Sequence, residues 1–249
     1  MKPLAIIGGT GISELEGLEV RDELSIETPY GATSRPVQEG RWGDTTLYFL
    51  QRHGSPGAIP PHLINYRANV WALHSLDVAG ILAINTVGGI TREMQTGRLV
   101  FPDQLIDYTW GREHTLDDGA SGSLMHVDFT EPYDRDLRAA LIEAADKADI
   151  AHEPAAVYGA TQGPRLETAA EIERMARDGC DVVGMTGMPE AALARELGIP
   201  YASICMVVNP AAGLDDLPLS IDAMREILQR EAAVVRQLLT SVLQLRAVS

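Results

Sequence analysis

Two polar side chains in the last third of the chain follow apolar runs and could read the edge of a purine base. Glu167 ends the segment 163–167 (GPRLE), and Asn209 ends the segment 206–209 (MVVN). A carboxylate such as Glu167 accepts hydrogen bonds only, whereas the amide of Asn209 both donates and accepts. An N–H beside a C=O, as on the edge of a 6-oxopurine such as hypoxanthine, complements that pair. The two residues therefore indicate a site for a nucleobase of this type.

A glycine-rich turn and a basic pair near the front of the chain could bind an anion. In the turn at 8–11 (GGTG), glycines let the backbone approach an anion and Thr10 adds a hydroxyl donor. Arg52 and His53 end another apolar run, and the planar arginine fork suits oxyanions because it donates two parallel hydrogen bonds. A dinucleotide fingerprint is excluded, because Glu14 stands at the third glycine position and would repel a pyrophosphate. An ordinary tight turn and a solvated arginine at a strand end remain the alternatives.

Two further apolar runs end in threonines. Thr86 lies in the segment 84–89 (INTVGG), and Thr186 precedes a segment whose proline, Pro189, suits the first turn of a helix. That order places Thr186 near a helix N-terminus, where backbone N–H groups favour an anion. Because open α/β sheets bind ligands at the carboxyl ends of their strands, these segments together predict one site for a purine nucleoside and a phosphate.

Short apolar runs alternate with amphipathic helical patterns along the chain, which is typical of an α/β layered fold. The predicted strands span residues 4–7, 45–51, 80–85, 99–107, 155–159, 181–184 and 200–208. The predicted helices span residues 62–75, 133–149, 167–178, 189–197 and 220–245. No repeat or long linker divides the chain, so we predict a single domain over residues 1–249.

The last helix has the clearest pattern, and one loop has none. Val235, Leu238, Leu239 and Val242 recur at the spacing of a single buried stripe. Residues 111–131 are polar, rich in glycine and without clear periodicity. A long loop of this kind inside a compact domain is usually functional or part of an interface.

Composition and charge exclude several classes of protein. The net charge of -15 argues against a nucleic-acid partner, because no basic patch is available to neutralise a phosphate backbone. No apolar stretch reaches the length of a membrane span and no secretory signal is present, so we predict no membrane partner and a cytoplasmic location. Cys180 and Cys205 lack a CxxC spacing and fit free thiols of a reducing compartment. The histidines show no HxxxH or HxH pairing, so no metal site is predicted.

Five segments, in this order, resemble the trimeric purine nucleoside phosphorylase and methylthioadenosine phosphorylase family. They are GGTGI at 8–12, RHG at 52–54, NYRAN at 65–69, GPRLET at 163–168 and GMTGMPE at 184–190. The resemblance extends over residues 4–245 and implies a central mixed β-sheet flanked by helices. It also implies a homotrimer, or a hexamer of paired trimers, that catalyses reversible phosphorolysis of an N-glycosidic bond. Inorganic phosphate is then a co-substrate beside the nucleoside, and no metal or organic cofactor is required.

The resemblance also assigns roles to individual residues. The implied phosphate-binding residues are Thr10, Arg52, His53, Thr86 and Thr186. The implied substrate-binding residues are Pro61, His126, Leu166, Glu167, Met185, Asn209, Ile221 and Met224. Met185 packs under the ribose, beside the positive charge that develops as the bond to the base stretches, and Asn209 hydrogen bonds N7 and O6 of the leaving purine. Asn209, Glu167 and His53 are the implied catalytic residues.

Base preference depends on Glu167 and Asn209. A carboxylate accepts from the N1–H of hypoxanthine or guanine, whereas N1 of adenine is itself an acceptor and would face the carboxylate lone pair to lone pair. The adenine-specific branch of the family typically has aspartate where this chain has Asn209 and a small hydroxyl residue where it has Glu167. The 6-oxopurine interpretation is therefore favoured over the alternative of a helix-capping glutamate and a turn asparagine before Pro210.

The sugar end favours a different branch of the family. Ordinary 6-oxopurine nucleoside phosphorylases place a histidine after this asparagine, but here Ile221 and Met224 are apolar and suit a methylthio group. His126 matches a histidine that the methylthio branch contributes across a subunit interface. The combination implies S-methyl-5′-thioinosine as substrate, with methylthioadenosine and general 6-oxopurine nucleosides as the alternatives. One departure from the family is Leu166, where phenylalanine usually stacks on the base.

Overall fold

The most apolar strands of the chain lie side by side at the centre of one sheet. The computed structural model describes residues 2–12, 14–55, 58–119, 125–215 and 221–248, with the backbone alone at 221–225 and 247–248. Strand β1 (Leu4–Gly8) pairs in parallel with β4 (Thr45–Gln51) and β5 (Gly80–Gly89), and β5 pairs in parallel with β11 (Tyr201–Pro210). Helices cover both faces of these strands, which explains why they read as nearly continuous apolar runs.

The other strands complete a mixed sheet. They are β2 (Glu19–Leu24), β3 (Val37–Trp42), β6 (Leu99–Val100), β7 (Gln104–Asp107), β8 (His152–Glu153), β9 (Val157–Ala160) and β10 (Val182–Gly184). The strand order is β2-β3-β4-β1-β5-β10-β9-β7. Outside this order, β11 pairs with β5 and with β6, and β6 also pairs with β8. Because β3 is antiparallel to β4 and β10 is antiparallel to β5, the sheet is mixed, and the predicted fold class is confirmed.

Helices pack on the two faces of the sheet. They are α1 (Tyr66–Ser75), α2 (Arg135–Lys147), α3 (Ala169–Asp178), α4 (Gly187–Glu196) and α5 (Ile221–Val248). Apolar side chains of α1 and α4 pack on one face, whereas those of α2 and α5 pack on the other. The predicted stripe of α5 is buried in this second layer. Within the described ranges, no helix is both long and apolar enough to cross a membrane.

The start of α3 differs from the sequence prediction and matters for the site. We predicted a helix from residue 167, but Thr168 is the N-cap, and its side chain accepts a hydrogen bond from the backbone N–H of Glu171. The side chain of Glu171 reciprocates at the backbone N–H of Thr168 and completes a capping box. Glu167 is therefore outside the helix, and the alternative in which it caps the helix is wrong.

Two predictions about strands were also wrong, each for a local reason. The predicted strand 99–107 is divided into β6 and β7, and Pro102, which lacks a backbone N–H, lies between them. Strands β2 and β3 were not predicted at all. Most side chains of β2 are exposed, so the hydrophobic alternation that marks a half-buried strand is missing there.

Two central strands extend further than predicted. The strands predicted at 80–85 and 200–208 continue to Gly89 and Pro210, and they pair along this extension. The register shifts between Val207 and Asn209, so a β-bulge lies directly before the asparagine. Bulges redirect side chains near the ends of strands. The extension brings Thr86 and Asn209 into one region of the sheet.

Candidate active site

A cleft lies at the sheet region formed by the ends of β1, β4, β5, β10 and β11. Most residues predicted to form the site line it: Thr10, Arg52, His53, Pro61, Thr86, Leu166, Glu167, Met185, Thr186 and Asn209. The position agrees with the rule that α/β sheets bind ligands beyond the carboxyl ends of their strands. Segments more than 150 residues apart in sequence, such as those of Thr10 and Asn209, therefore share one cavity.

The guanidinium of Arg52 is fully buried and already paired. Its Nε and Nη2 donate to the two carboxylate oxygens of Glu190, each at 2.8 Å, and Nη1 donates to the carbonyl of Ile84 at 2.9 Å. Burial by itself lowers the pKa of Arg52, but the adjacent carboxylate outweighs that effect and raises it. We predicted a fork that grips phosphate bidentately. The Nε–Nη2 edge of that fork instead binds Glu190.

A glycine lets the backbone pass over this arginine. A Cβ on Gly9 would lie 2.5 Å from the carbonyl oxygen of Ile84 and 2.9 Å from Nη1 of Arg52. Those distances are too short for any side chain, so the position requires glycine. The predicted glycine turn therefore does allow a close backbone approach, and its immediate neighbour is the arginine. Thr10 lies in the same turn and lines the cleft.

His53 presents one ring nitrogen as an acceptor. Its Nδ1 lies 2.9 Å from the carbonyl oxygen of Ile59, and a carbonyl only accepts, so Nδ1 carries the proton. Burial lowers the pKa of His53, and the nearby Arg52 lowers it further, while the bond to Ile59 raises it in part. The imidazole is therefore neutral near pH 7, and Nε2 has a free lone pair.

Thr186 is held by a buried chain of polar side chains. Its hydroxyl donates to Oδ1 of Asn85 at 2.8 Å, and Nδ2 of Asn85 donates to the hydroxyl of Ser203 at 2.6 Å. The side chains of Asn85 and Ser203 are almost completely buried. Because an amide has distinct donor and acceptor ends, this chain fixes the direction of every hydrogen bond in it.

The helix N-terminus at Thr186 is occupied by a protein group. Thr186 is the N-cap of α4, which agrees with its predicted place near a helix N-terminus. Its backbone N–H and that of Gly187, however, lie 3.3 and 3.4 Å from the hydroxyl of Tyr158. Tyr158 is fully buried, and burial raises its pKa. These two backbone N–H groups therefore donate to the hydroxyl of the tyrosine. The prediction that they favour an anion at this N-terminus is corrected.

Glu167 lines the cleft from the segment before α3 and has a single hydrogen-bond partner within the described part of the chain. The hydroxyl of Thr161 donates to its Oε1 at 2.6 Å. The exposed fraction of Leu166, its neighbour in the cleft lining, is 51%. The second carboxylate oxygen of Glu167 accepts no hydrogen bond from these residues, so it can accept one from a ligand.

Asn209 is oriented by the bulge in β11. Its Nδ2 donates to the carbonyl of Pro210 at 2.6 Å. A Cβ on Gly88, the strand partner of Asn209, would lie 3.4 Å from that Nδ2 and 3.2 Å from a methyl of Val183. The glycine therefore leaves room beside the amide. The bond to Pro210 corresponds to the turn-asparagine alternative, but it leaves Oδ1 and the second N–H of the amide available.

Arg112 joins the segments 161–162 and 185–188 beside the cleft, and no sequence pattern identified it. Its Nε donates to Oε1 of Gln162, and its Nη2 donates to the backbone carbonyls of Thr161 and Gln162. Its Nη1 donates to the backbone carbonyls of Met185 and Met188. These five donor–acceptor distances are 2.6 to 3.2 Å. With the hydroxyl of Tyr66, 3.4 Å from Nη1, as a sixth acceptor, all five N–H groups of the guanidinium are used. The buried cation is thus satisfied without a carboxylate.

Three predicted site residues are not part of the described cleft lining. His126 is exposed and lies outside it. Ile221 and Met224 belong to the first turns of α5, but their side chains lie outside the described residues. The sugar end of the predicted site therefore stays a prediction.

Four residues of the site were missed, and only some left a signal in the sequence. Asn85 interrupts an apolar strand, and Glu190 is an acid within an apolar helix, so both could have been noticed as polar groups at buried positions. Thr161 and Arg112 lie in irregular segments where no periodicity marks burial. No group of three His, Cys, Asp or Glu side chains that could hold a metal is found among the described residues. The predicted absence of a cofactor stays a prediction.

Comparisons with known proteins agree with this arrangement. The model of the phosphorylase superfamily matches residues 3–244. A probable S-methyl-5′-thioinosine phosphorylase of Pseudomonas syringae pv. tomato is 48% identical over 98% of this chain and 99% of that protein. A 6-oxopurine nucleoside phosphorylase of Pyrococcus furiosus is 42% identical over 98% of this chain and 93% of that protein.

A solved structure extends the similarity to the whole fold. Methylthioadenosine phosphorylase of Schistosoma mansoni in complex with adenine superposes with a TM-score of 0.94 at 31% identity. The match covers 100% of this chain and 93% of the solved chain. Family model, relatives and solved fold all match nearly the full length, so the chain belongs to the phosphorylase superfamily and is an enzyme of the purine nucleoside phosphorylase type.

Proposed function

We propose that this enzyme cleaves S-methyl-5′-thioinosine with inorganic phosphate and releases hypoxanthine and 5-methylthioribose 1-phosphate. The observation that carries the proposal is the presence of Glu167 and Asn209 in one cleft with His53 and Thr10. The first pair offers groups that match a 6-oxopurine, and the second pair lies among the residues expected to hold phosphate.

The base is selected by the direction of its hydrogen bonds. Among the described residues, Glu167 has an unbonded carboxylate oxygen that accepts from N1–H of the 6-oxopurine, and Asn209 has an unbonded N–H for O6. Its Oδ1 can accept from N7 once that atom has taken up a proton from water as the base leaves. Adenine offers an acceptor at N1 and a donor at its exocyclic amine, so both contacts are mismatched. An unpaired buried polar group costs about 1–3 kcal/mol, and two mismatches give a preference of roughly a hundredfold or more.

The phosphate side supplies hydrogen bonds more than net charge. The positive charge of Arg52 is balanced by Glu190, and His53 is neutral with Nε2 available as an acceptor. A phosphate that carries a proton can donate that proton to Nε2, while the hydroxyl of Thr10 and the N–H of Thr86 are expected to donate to its other oxygens. Hydrogen bonds from these described residues then hold phosphate next to the sugar, while the charge of Arg52 stays paired with Glu190.

Catalysis follows from stabilising charge as the glycosidic bond breaks. The bond from C1′ to N9 stretches towards an oxocarbenium ion, phosphate attacks C1′ from the opposite face, and negative charge accumulates on the purine. Asn209 donates to O6 as that charge develops, which stabilises the transition state more than the bound substrate. Met185, which lines the cleft between the two ends, is expected to pack under the ribose.

The sugar end of the proposal rests on similarity and on the residue types near the start of α5. Relatives about half identical to this chain are named probable S-methyl-5′-thioinosine phosphorylases, and they match most of its length. Ile221 and Met224 are apolar, as a methylthio group requires. The finer predictions of a homotrimer, with His126 reaching a neighbouring site, and of a cytoplasmic location in purine salvage belong to the same proposal.

A comparison of three nucleosides tests the proposal. Methylthioinosine, methylthioadenosine and inosine are incubated with the enzyme, with and without phosphate, and the free bases are separated by chromatography. We expect phosphate-dependent release of hypoxanthine from methylthioinosine, with much slower turnover of the other two. Comparable release of adenine would make the enzyme a methylthioadenosine phosphorylase, and equal turnover of inosine would make it a general 6-oxopurine nucleoside phosphorylase.

A single substitution tests the reading of the base separately. Asn209→Asp replaces the donating amide with an acceptor, which should pair with the N–H groups of adenine and oppose O6 of hypoxanthine. The ratio of kcat/KM for methylthioinosine over methylthioadenosine should fall by about tenfold or more. An unchanged ratio would show that Asn209 does not contact the base.

A further inference from the structure

Thr161 supports the base-reading carboxylate from outside the active-site cleft. Glu167 lines both the active-site cleft and a neighbouring cleft, whereas Thr161 lines only the neighbouring one. The hydroxyl of Thr161 lies 2.6 Å from Oε1 of Glu167, and a carboxylate only accepts, so the threonine is the donor. One oxygen of Glu167 is therefore occupied on the side that faces away from the substrate.

The backbone of Thr161 is held rigidly enough for this hydroxyl to fix a direction. Its N–H donates to the carbonyl of Gly184 at 2.8 Å, and its own carbonyl accepts from Nη2 of Arg112 at 3.1 Å. It directly follows β9, which is paired with β10. Both backbone hydrogen-bonding groups of Thr161 are thus used, and the hydroxyl position is set by the sheet.

Glu167 itself has little else to hold its side chain. It is half-buried, precedes the N-cap of α3, and takes no part in the capping box, which Thr168 and Glu171 complete. Among the described residues, Thr161 is its one hydrogen-bond partner. Without that bond, the carboxylate could rotate about its free torsions, and ordering it on each binding event would cost conformational entropy.

We propose that Thr161 is a specificity-determining positioning residue. Its hydroxyl holds Oε1 of Glu167 so that the other oxygen meets N1–H of a 6-oxopurine. The inference rests on the proposed function and names a residue that acts on the base through Glu167 without touching the substrate. A substrate that makes no productive bond to Glu167, such as methylthioadenosine, gains nothing from this positioning.

The decisive variant is Thr161→Val, which keeps the shape of the side chain and removes the donor. We expect kcat/KM for methylthioinosine to fall about tenfold, the loss typical of one hydrogen bond to a charged group. The value for methylthioadenosine should change little, so the ratio of the two should fall by the same factor. Thr161→Ser restores the hydroxyl and should recover at least most of the preference.

A matched control removes the same kind of bond elsewhere. The hydroxyl of Thr91 donates to a carboxylate oxygen of Asp181 at 3.2 Å, and Thr91 lines neither cleft. Thr91→Val should therefore leave the substrate ratio at the wild-type value. A second readout that does not depend on turnover is the affinity for free hypoxanthine and free adenine, measured by calorimetry. Thr161→Val should weaken the binding of hypoxanthine and leave that of adenine unchanged.

The outcomes separate this inference from the function on which it rests. If the wild-type enzyme does not release hypoxanthine from methylthioinosine, the proposed function fails. If the wild type does so and Thr161→Val lowers kcat/KM equally for methylthioinosine and methylthioadenosine, Thr161 is only structural and the inference is overturned. A fall in the ratio in Thr161→Val, with recovery in Thr161→Ser and no change in Thr91→Val, supports it. If Thr161→Val does not fold, Thr161→Ala is measured in the same way with the same expectation.

Discussion

The two sides of the cleft differ in how completely the protein fixes them. On the side proposed to hold phosphate, called the phosphate side, Arg52 and Glu190 are fully buried, and Asn85 and Thr186 are nearly so, each with defined hydrogen-bond partners. On the base side, half of Leu166 is exposed and its cleft-lining neighbours make few bonds. The phosphate side is therefore built into the buried interior, whereas Leu166 and Glu167 of the base side lie at a more exposed margin of the cleft.

This difference indicates which part of the reaction the fold itself supports. Groups buried in the interior cannot change without large losses in stability, so the side proposed to hold phosphate is tied to folding. Groups at the margin can be exchanged at little cost in stability, which allows the identity of the nucleoside to vary. The similar proteins differ in the nucleoside their names specify, while all are phosphorylases.

The largest expected effect comes from breaking the buried pair. Glu190→Gln leaves the charge of Arg52 uncompensated in the core, and such a loss destabilises the fold by about 3–5 kcal/mol. For a protein of this size, the midpoint of thermal unfolding should fall by about 6 to 20 °C. Glu173→Gln removes an acid from an exposed pair with Arg177 and should leave the midpoint nearly unchanged. Equal shifts for the two variants would contradict the contrast between the sides.

The next effect concerns the residue that links the two sides. Arg112→Lys supplies three N–H donors where five are used, so at least two acceptors lose their partner. Each buried group left unsatisfied costs about 1–3 kcal/mol, and the carbonyl of Met185 is among those at risk. The midpoint of thermal unfolding should fall and the KM for nucleoside should rise. Arg174→Lys, at an exposed site, should change neither quantity. A stable Arg112→Lys enzyme with normal KM would show that the two sides are independent.

A smaller effect is expected at the margin itself. Leu166→Phe adds an aromatic ring at an exposed position of the base side, and stacking of this kind contributes about 0.5–1.5 kcal/mol. Inhibition by hypoxanthine should strengthen by up to about tenfold, with the unfolding midpoint unaltered. An unchanged inhibition constant would show that residue 166 does not cover the base.

The smallest effect is a dependence of stability on pH. Burial lowers the pKa of His53 below its ordinary value of 6.5, so the unfolded chain takes up a proton at a higher pH than the folded chain. The contribution of this histidine to stability is therefore complete above about pH 6.5 and is lost as the pH falls through the lowered pKa. The free energies of unfolding of wild type and His53→Asn, measured with denaturant, should differ increasingly as the pH rises from about 5.5 to about 7. A constant difference would mean that His53 titrates normally.

Much of the fold could be predicted because burial leaves a periodic pattern. The stripe of Val235, Leu238, Leu239 and Val242 predicted α5, and all four side chains are buried as expected. The exposed strand β2 left no such pattern and was missed. Periodicity reports which face of an element is covered, so an element exposed on both faces is invisible to it.

The sequence by itself determined the types of the reacting groups and the order along the chain of the strands that carry them. An acceptor at Glu167 and an amide at Asn209 could be recognised from residue type alone, as could the glycine turn beside Thr10. Only the tertiary structure decided what those groups are bonded to. The partners of Arg52 and Glu167 are chosen by distance in space, for Arg52 across 138 residues of chain, and no local pattern records that choice.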